Sequence, residues 1–413
     1  MEEKFQIVGW ALPSLISLGV MLITVAGGCS GGGSGFGDGG SGGSGSPSAG
    51  TNGTQTGGGS SSTGGNTTTG GNGNTGGISN PGGGNAGTPG GSGDGPVAGS
   101  GGSAPAEVCP KPPGEICHEF FANDNGNNQV NYVNEFKIGQ MVEGKPEPVG
   151  PEGVIWVKKV EAQTANSPRQ VELVDNDQAT NKKAILVSVN TGFQEYDMLT
   201  GARLVNVVLP GGTKDIRGAV RLPNGNTILA VGDNKLRTVD NAGATIAECT
   251  LPGSGSDSLR VINRDAATGH LLLGRLLDLF VVTEQCQQQW TAKLPSGSKA
   301  YSVFPAKDGA SWTERGVWAT SGAPSSVIHF DGAGQIVEKV GGKDVHANIG
   351  LDFFSGFEFL PNGNIVAANW QGHLTMAGLN TPHLVEFSPD NKLVWKWGNA
   401  MVARQITNTM MLR

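Results

Sequence analysis

The side chains best suited to chemistry lie near the C-terminal end of the chain. Trp370, His373 and His383 belong to the stretch WQGHLTMAGLNTPH (370–383), and His346 and Asp352 precede it. A neutral imidazole is the commonest metal ligand in proteins, and histidine also serves as a base or nucleophile. Three roles stay open: metal ligands together with Asp352, catalytic groups, or hydrogen-bonded residues of a loop that closes a cavity. We expect no metal, because no tight spacing such as His-x-x-x-His occurs.

A second set of candidates is cationic and recurs where apolar runs begin. Six short segments can be aligned by the turn that follows each of them. The residues at the aligned position near the start of each segment are, in chain order, Arg169, Arg217, Arg260, Tyr301, Ser355 and Arg404. Guanidinium groups form paired hydrogen bonds with carboxylate, sulfate or phosphate, and several of them together focus a positive potential. The pattern predicts an anion-binding site. The alternative is that each arginine pairs with a nearby acid, such as Asp215 or Asp257, and braces the surrounding loops.

An internal repeat provides the elements that must position these residues. The stretches YDMLTGARLVNVVLP (196–210), VDNAGATIAECTLP (239–252) and VTEQCQQQWTAKLP (282–295) are versions of one hairpin, and they begin 43 residues apart. The motif LPNGN occurs at 222–226 and again 138 residues later, at 360–364. Short apolar runs separated by Gly, Asn, Asp and Pro read as strands. A repeat of about 40 to 50 residues with about four strands is typical of β-propeller blades.

The number of repeats predicts how the ring closes. Five consecutive repeats span 165–399, and the segment 130–162, with EFKIG and GVIWVKKV, supplies outer strands of one more. The C-terminal RQITNTMMLR fits as the inner strand of that last blade, which pairs the two ends of the chain. We predict an all-β, six-bladed β-propeller, with seven blades as the alternative. The inner strands then begin at one mouth of the channel, where Trp370 joins the arginines as a ligand-binding residue.

The motif LPNGN followed by a strand, together with VEFSPDNKLVWKW (385–397), resembles the repeat of the PQQ-like and arylsulfotransferase-like propeller superfamily. The resemblance covers the chain from about residue 130 onward and implies the fold, but propellers host many unrelated activities. It makes a sulfotransferase-like enzyme, with a histidine in group transfer, one alternative, and a hydrolase another. No quinone cofactor is expected, because tryptophan does not recur in every repeat and no vicinal cysteine pair is present.

The N-terminal segment predicts export. An apolar run from Ile7 to Ala26 ends in AGGC (26–29), which resembles the lipobox of bacterial lipoproteins, whose cysteine is lipidated after cleavage. We predict a signal peptide over 1–29 and lipidation of Cys29. Ser30 after that cysteine favours the outer membrane; attachment to the inner membrane is the alternative. About 20 apolar residues also suffice for an uncleaved membrane-spanning helix.

Composition divides the rest of the chain in two. Residues 30–107 are almost entirely Gly, Ser, Thr, Asn and Pro, without apolar periodicity, which predicts a disordered linker. Residues 108–413 form the predicted propeller domain, which we expect to be a monomer. The net charge of -7 does not suggest a nucleic-acid partner.

Four cysteines remain after Cys29, and an even number in an exported domain favours disulfides. Cys109 and Cys117 would close the short loop CPKPPGEIC. Cys249 and Cys286 would link adjacent repeats, or stay free as small buried apolar residues.

Together these features predict a membrane-tethered, extracytoplasmic binding module without catalysis. Its expected partner at the channel face is an anionic small molecule, a glycan or an envelope protein. The alternatives are an enzyme that uses the arginine- and histidine-bearing face, and a purely structural module of the cell envelope.

Overall fold

A computed structural model describes residues 107–161, 167–210, 215–232, 234–253, 259–305, 311–372 and 381–413. Over these residues the chain forms six four-stranded antiparallel sheets, which are the blades of a propeller. The prediction of six blades is therefore confirmed. Within the same residues, no helix has the length and apolar character needed to cross a membrane.

The strands of each blade follow one another in sequence from the channel outward, except in blade 1. Blade 1 contains β24 (Ile406–Met411), β1 (Glu119–Asp124), β2 (Gln129–Asn134) and β3 (Val154–Lys159). Blade 2 contains β4 (Val171–Asp175), β5 (Lys183–Val189), β6 (Gly192–Asp197) and β7 (Arg203–Val208). Blade 3 contains β8 (Ile216–Arg221), β9 (Thr227–Val231), β10 (Lys235–Val239) and β11 (Thr245–Thr250).

The remaining blades repeat this order. Blade 4 contains β12 (Ile262–Arg264), β13 (Leu271–Arg275), β14 (Asp278–Val282) and β15 (Gln288–Lys293). Blade 5 contains β16 (Val303–Pro305), β17 (Val317–Thr320), β18 (Ser326–Phe330) and β19 (Ile336–Gly341), with one helical turn, α1 (Trp312–Arg315), between its first two strands. Blade 6 contains β20 (Phe353–Phe359), β21 (Ile365–Trp370), β22 (Leu384–Phe387) and β23 (Leu393–Trp397).

Blade 1 closes the ring by joining the two ends of the folded chain. Its inner strand, β24, pairs antiparallel with β1, so that Phe120 lies opposite Met411. The backbone of Glu119 extends this pairing, since its amide donates to Arg413 O (3.0 Å) and its carbonyl accepts from Leu412 N (2.8 Å). The predicted C-terminal inner strand is thus confirmed.

The segment EFKIG was expected to be an outer strand of this blade, and this prediction is wrong. Glu135–Lys137 form a 3-10 turn directly after β2, and the Asn134 side chain accepts a hydrogen bond from Phe136 N (3.0 Å). The Glu135 carboxylate accepts from Lys111 Nζ (2.6 Å) and from His118 N (2.9 Å). These side-chain contacts replace strand pairing, and GVIWVKKV alone supplies the outer strand.

Neighbouring blades pack face to face through apolar clusters, and the described residues form one such cluster at each of the six junctions. The second and third strands of a blade lie between two neighbours, so β9 and β13 are buried along their whole length. Strands buried on both faces read as continuous apolar runs, which is why TILAV and HLLLGRL predict them correctly. Outer strands such as β11 are largely exposed.

The repeated motif LPNGN forms the same turn in blades 3 and 6. Gly225 N donates to Leu222 O, and Gly363 N donates to Leu360 O, both at 3.0 Å. The two glycines have φ of 87° and 94°, a conformation that glycine adopts without steric cost. These turns fix where the inner strands β8 and β20 end, and hence which of their residues reach the channel.

Both predicted disulfides are present. Cys109–Cys117 closes the short loop before β1, with a Cα–Cα distance of 5.5 Å. Cys249–Cys286 joins β11 of blade 3 to the β14–β15 turn of blade 4, with a Cα–Cα distance of 5.9 Å. Disulfides persist in oxidising compartments, so the pair indicates an extracytoplasmic location. Cys29 lies outside the described residues.

Candidate functional site

The starts of the inner strands converge on one small cavity at the mouth of the channel. The cavity has a volume of about 20 Å3, which holds roughly one water-sized group. The residues that line it are Arg169, Arg217, Arg260, Val261, Tyr301 and Thr407. Four of the six residues predicted to bind a ligand, from blades 2, 3, 4 and 5, are therefore brought together. We call this site the arginine cavity.

Backbone pairing fixes the direction of these side chains. Arg169, Arg260 and Tyr301 each stand two residues before the inner strand of their blade. The amides of both arginines donate to carbonyls of the second strand of their own blade, at 3.2 and 3.1 Å. Arg217 lies instead in a β-bulge between Ile216 and Gly218. A bulge re-aims the side chain that it contains, which lets this arginine reach the same cavity.

Two of the arginines have different local partners. Arg260 is only 8% exposed, and its guanidinium carbon lies 4.5 Å above the centre of the Tyr301 ring. Stacking on an aromatic face stabilises a desolvated guanidinium by about 2 kcal/mol. Arg217 forms an ion pair with Asp215. The bracing role considered for the arginines therefore fits Arg217, and its other proposed partner, Asp257, lies outside the described residues.

Arg169 carries the clearest electrostatic perturbation in the cavity. Burial, and then the neighbouring charges of Arg217 and Arg260, lower the pKa of Arg169 to about 10, although Tyr301 and Asp215 act in the opposite direction. In the described part of the chain, no carboxylate forms an ion pair with Arg169 or Arg260. Three arginines therefore line the cavity, and among the described residues the carboxylate of Asp215 forms an ion pair with one of them, Arg217.

Trp370 contributes to the wall behind the cavity. The Tyr301 ring packs edge-on against Phe353, with centroids 4.7 Å apart, and Phe353 packs edge-on against Trp370 at 5.4 Å. Trp370 and Phe353 also pair across β20 and β21. Trp370 is thus two aromatic rings away from the arginines and supports Tyr301, while the cavity lining itself does not include it.

Arg404 is the predicted arginine that the structure does not bring into the cavity. It is exposed, and Thr407, three residues further along, lines the cavity in its place. The reason lies in Asp124, which accepts hydrogen bonds from Arg404 N and Gln405 N, both at 3.1 Å. Arg404 stands two residues before β24, as Arg169, Arg260 and Tyr301 stand before their strands, but this carboxylate holds its backbone at the end of β1.

Neither His346 nor His383 lines the arginine cavity. His383 is completely buried, burial lowers its pKa, and its ring lies 6.0 Å from that of Trp397. His346 contacts Asn391 Oδ1 through Nε2 at 3.3 Å and packs against Phe387 at 4.8 Å. His373 lies outside the described residues.

The metal site considered for this segment gains no support from the described residues. Asp352 forms an ion pair with Lys343 at 3.2 Å. No group of three or more His, Cys, Asp or Glu side chains in the described ranges is arranged to hold a metal ion.

Gln170 forms the floor beneath the arginine cavity. Its amide nitrogen donates to Ile262 O (2.6 Å), and its amide oxygen accepts from Ile262 N (3.2 Å) and Ala219 N (3.3 Å). The side chain thereby ties blade 2 to blades 3 and 4. Gly218 makes room for it, because a Cβ at that position would lie 2.5 Å from the Gln170 oxygen.

Beyond Gln170 the channel widens into a second space of about 200 Å3, which we call the lower chamber. Glu172 and Glu358 both line it. Burial raises the pKa of Glu172 to about 7, and burial together with Glu172 raises the pKa of Glu358 to about 8. Perturbed carboxyl groups of this kind are common at functional sites. Neither glutamate is among the residues predicted from the sequence, although an acid on a predicted inner strand, as in VELVD and FEFLP, is a signal of such a site.

A larger groove opens beside the lower chamber, between blades 2 and 3. Its volume is about 890 Å3, and Glu172 and Arg264 line both spaces. Within the groove, Glu195 forms an ion pair with Arg221 and accepts from Asn176 Nδ2 (2.7 Å). The groove therefore connects with the lower chamber through shared side chains and carries charges of both signs.

Comparison with known proteins supports the fold. No protein-family model matches the chain, and no curated protein sequence matches it. Among solved structures, it is similar to a protein of unknown function from Bacteroides caccae. The TM-score is 0.55 at 20% identity, over 72% of this chain and 100% of that one. The resemblance to PQQ-like and arylsulfotransferase-like repeats is thus supported at the level of the β-propeller.

Two lyases show weaker similarity. A streptogramin B lyase structure matches with a TM-score of 0.43 and 14% identity, over 69% of this chain and 87% of that one. A virginiamycin B lyase from Staphylococcus aureus matches with a TM-score of 0.42 and 13% identity, over 66% and 78%. At these identities the similarity concerns the fold, and no activity is transferred to this chain.

Proposed function

We propose that this protein is a non-catalytic binding module whose arginine cavity holds one anionic group of a larger ligand. The observation that carries the proposal is the convergence of Arg169, Arg217, Arg260 and Tyr301 on one cavity, where no carboxylate of the described residues forms an ion pair with Arg169 or Arg260. Buried charges are normally paired, because an unpaired charge in a protein interior is costly. An anion in the cavity would supply the missing partner.

The size of the cavity restricts the ligand. A space of about 20 Å3 takes one oxygen-sized group, so the body of the ligand would lie outside, over the channel mouth. Carboxylate, sulfate and phosphate all present such an oxygen, and the guanidinium fork binds each of them. Acidic glycans and acidic protein segments both fit this description, and the free anions serve as probes of the shared chemistry.

The proposal is tested by thermal unfolding of the purified protein with sulfate, phosphate or glucuronate at constant ionic strength. A ligand that binds the native state raises the unfolding midpoint, because it adds about 2.7 kcal/mol to the free energy of unfolding at 100 times its Kd. The double variant Arg169→Gln/Arg260→Gln should lose this rise. Lys293→Gln serves as a control for charge, because its side chain is 80% exposed on the outer strand β15.

Two results would contradict the proposal. If none of the three anions raises the midpoint, the cavity does not bind them. If the double variant and Lys293→Gln reduce the rise to the same extent, general charge rather than the cavity is responsible.

We further propose that the protein is tethered to the outer membrane through a lipid on Cys29, followed by a flexible linker over 30–107. The proposal rests on the lipobox-like AGGC and on the Gly- and Ser-rich composition. Metabolic labelling with an alkyne fatty acid tests it. Label should appear in the wild-type protein and disappear in Cys29→Ser; label that persists in the variant would contradict lipidation at this residue.

A further inference from the structure

The lower chamber is a separate site that the arginine cavity does not explain. Gln170 lies between the two, and the residues that line the chamber come from all six blades. Part of its wall is apolar, with Val220, Phe304 and Met410, while Glu172 and Glu358 contribute carboxyl groups. The chamber can therefore hold a small molecule with an apolar body and one polar group.

Its two carboxyl groups differ in how they are compensated. Glu172 accepts a hydrogen bond from Arg221 N (3.0 Å), and the charges of Arg221 and Arg264 both favour its ionised form. Glu358 is half-buried and lines the chamber. In the part of the chain that the structure describes, its carboxyl group has no hydrogen bond or ion pair with any residue. A carboxyl group that lines a partly apolar chamber and has no protein partner suits a cationic ligand.

We propose that the lower chamber binds a small organic ammonium ion, with the ammonium group beside Glu358 and Glu172 and the apolar body against Phe304 and Met410. An ammonium group donates up to three hydrogen bonds and supplies the charge that Glu358 lacks. A bare divalent cation fits less well, because about 200 Å3 with a partly apolar wall exceeds what one ion fills. The site lies apart from the arginine cavity, so either proposal can fail alone.

The groove between blades 2 and 3 provides the route of entry. Glu172 and Arg264 form part of both the groove and the chamber. Asp175 and Asp177 also line the groove; Asp175 forms an ion pair with Lys183, and Asp177 adds negative charge along the path. Acidic side chains in a cleft raise the local concentration of cations and speed their entry.

The charge of the chamber makes binding depend on pH. The charge of Glu172 raises the pKa of Glu358, whereas the charges of Arg221 and Arg264 lower that of Glu172. Glu358 has a pKa of about 8, so it carries a proton at pH 7 and must release it to pair with an ammonium ion. Titration of Glu358 alone should therefore raise the affinity about tenfold from pH 7 to pH 9, with release of about 0.9 proton from this group at pH 7, and Glu172, whose pKa is about 7, adds to both effects.

The test is isothermal titration of the purified protein with benzylammonium chloride at pH 7 and pH 9, in buffers of different ionisation enthalpy. Benzyl alcohol is the neutral analogue, and calcium chloride tests the metal alternative. We expect binding of benzylammonium alone, a gain of at least tenfold at pH 9, and proton release at pH 7. At pH 9, Glu358→Gln should weaken binding at least tenfold and leave only the smaller pH dependence that Glu172 causes, while the exposed control Glu143→Gln should bind normally.

Several results would overturn the proposal. Binding of benzyl alcohol as tight as that of benzylammonium would show that the carboxyl groups play no part. Stronger binding of calcium than of benzylammonium would assign the site to a metal, and binding of neither would leave the chamber as a water-filled space. Because an amide closely matches a protonated acid in shape, Glu358→Gln should fold. Glu172→Gln is a second variant that must also weaken binding.

Discussion

Arg169→Gln should stabilise the protein and abolish anion binding. Burial and the neighbouring arginines disfavour the positive charge of Arg169 in the folded protein, and the variant removes that charge. The pKa of Arg169 falls from 12.5 to about 10. Each unit corresponds to about 1.4 kcal/mol, so the charged form is disfavoured by about 3 kcal/mol relative to the unfolded chain. The glutamine loses buried side-chain stem, which costs about 1 kcal/mol. The expected net gain is therefore about 1 to 2 kcal/mol.

The assay is urea unfolding followed by tryptophan fluorescence, with the variant compared to the wild-type protein between pH 6 and pH 9. A base whose pKa is lowered by folding destabilises the native state at any pH below that lowered value, and the penalty disappears only as the pH rises through it. The advantage of Arg169→Gln should therefore stay constant across this range. Arg217→Gln offers a matched comparison, because it breaks the ion pair with Asp215 and should not stabilise.

A loss of more than about 1 kcal/mol in Arg169→Gln would refute this prediction, because the charge of Arg169 would then not destabilise the folded protein. The prediction is also refuted if Arg169→Gln and Arg217→Gln change stability equally. In either case Arg169 would be a structural brace, and the cavity would lose the unpaired charge on which the proposed function rests.

Three further predictions concern the channel and the blade junctions. Gly218→Ala should cost about 2 to 4 kcal/mol in urea unfolding, because the new methyl group would lie 2.5 Å from the Gln170 amide oxygen and 2.8 Å from a backbone nitrogen; no loss would show that the floor can shift. Glu358→Gln should gain stability over the wild type by roughly 1 kcal/mol per pH unit between pH 5 and pH 8, because an acid whose pKa is raised to about 8 destabilises the native state progressively across that window; a constant difference would contradict the burial of this group. Replacing Cys249 and Cys286 by serine should lower stability by about 4 kcal/mol, the loop-entropy value for 37 residues, and an unchanged urea midpoint would mean that the blade junction holds without the link.

The repeat made the fold predictable because its signals are local. The hairpin period, the LPNGN turns and the apolar runs each reflect a few neighbouring residues, and together they define six blades and the closing strand. EFKIG was misassigned as a strand because its conformation depends on Glu135, whose partners Lys111 and His118 lie well before it in the chain. Such side-chain contacts leave no periodic pattern.

The candidate site was predictable to the same extent. Arg169, Arg260 and Tyr301 each precede their strand by two residues and line one cavity, as the alignment predicts. Arg404 precedes β24 by the same interval, but Asp124, 280 residues earlier, binds its backbone amide, and its side chain is exposed. The unusual state of Glu358 arises only when the closed ring encloses it.

Anomalous diffraction from crystals soaked in selenate tests the central claim most directly, because it locates the anion itself. The account predicts a selenium peak over the channel mouth, with one selenate oxygen in the arginine cavity within hydrogen-bond distance of the Arg169 and Arg260 guanidinium groups. Selenate bound elsewhere on the surface while the cavity stays empty, or a peak that persists unchanged in Arg169→Gln/Arg260→Gln, would contradict it.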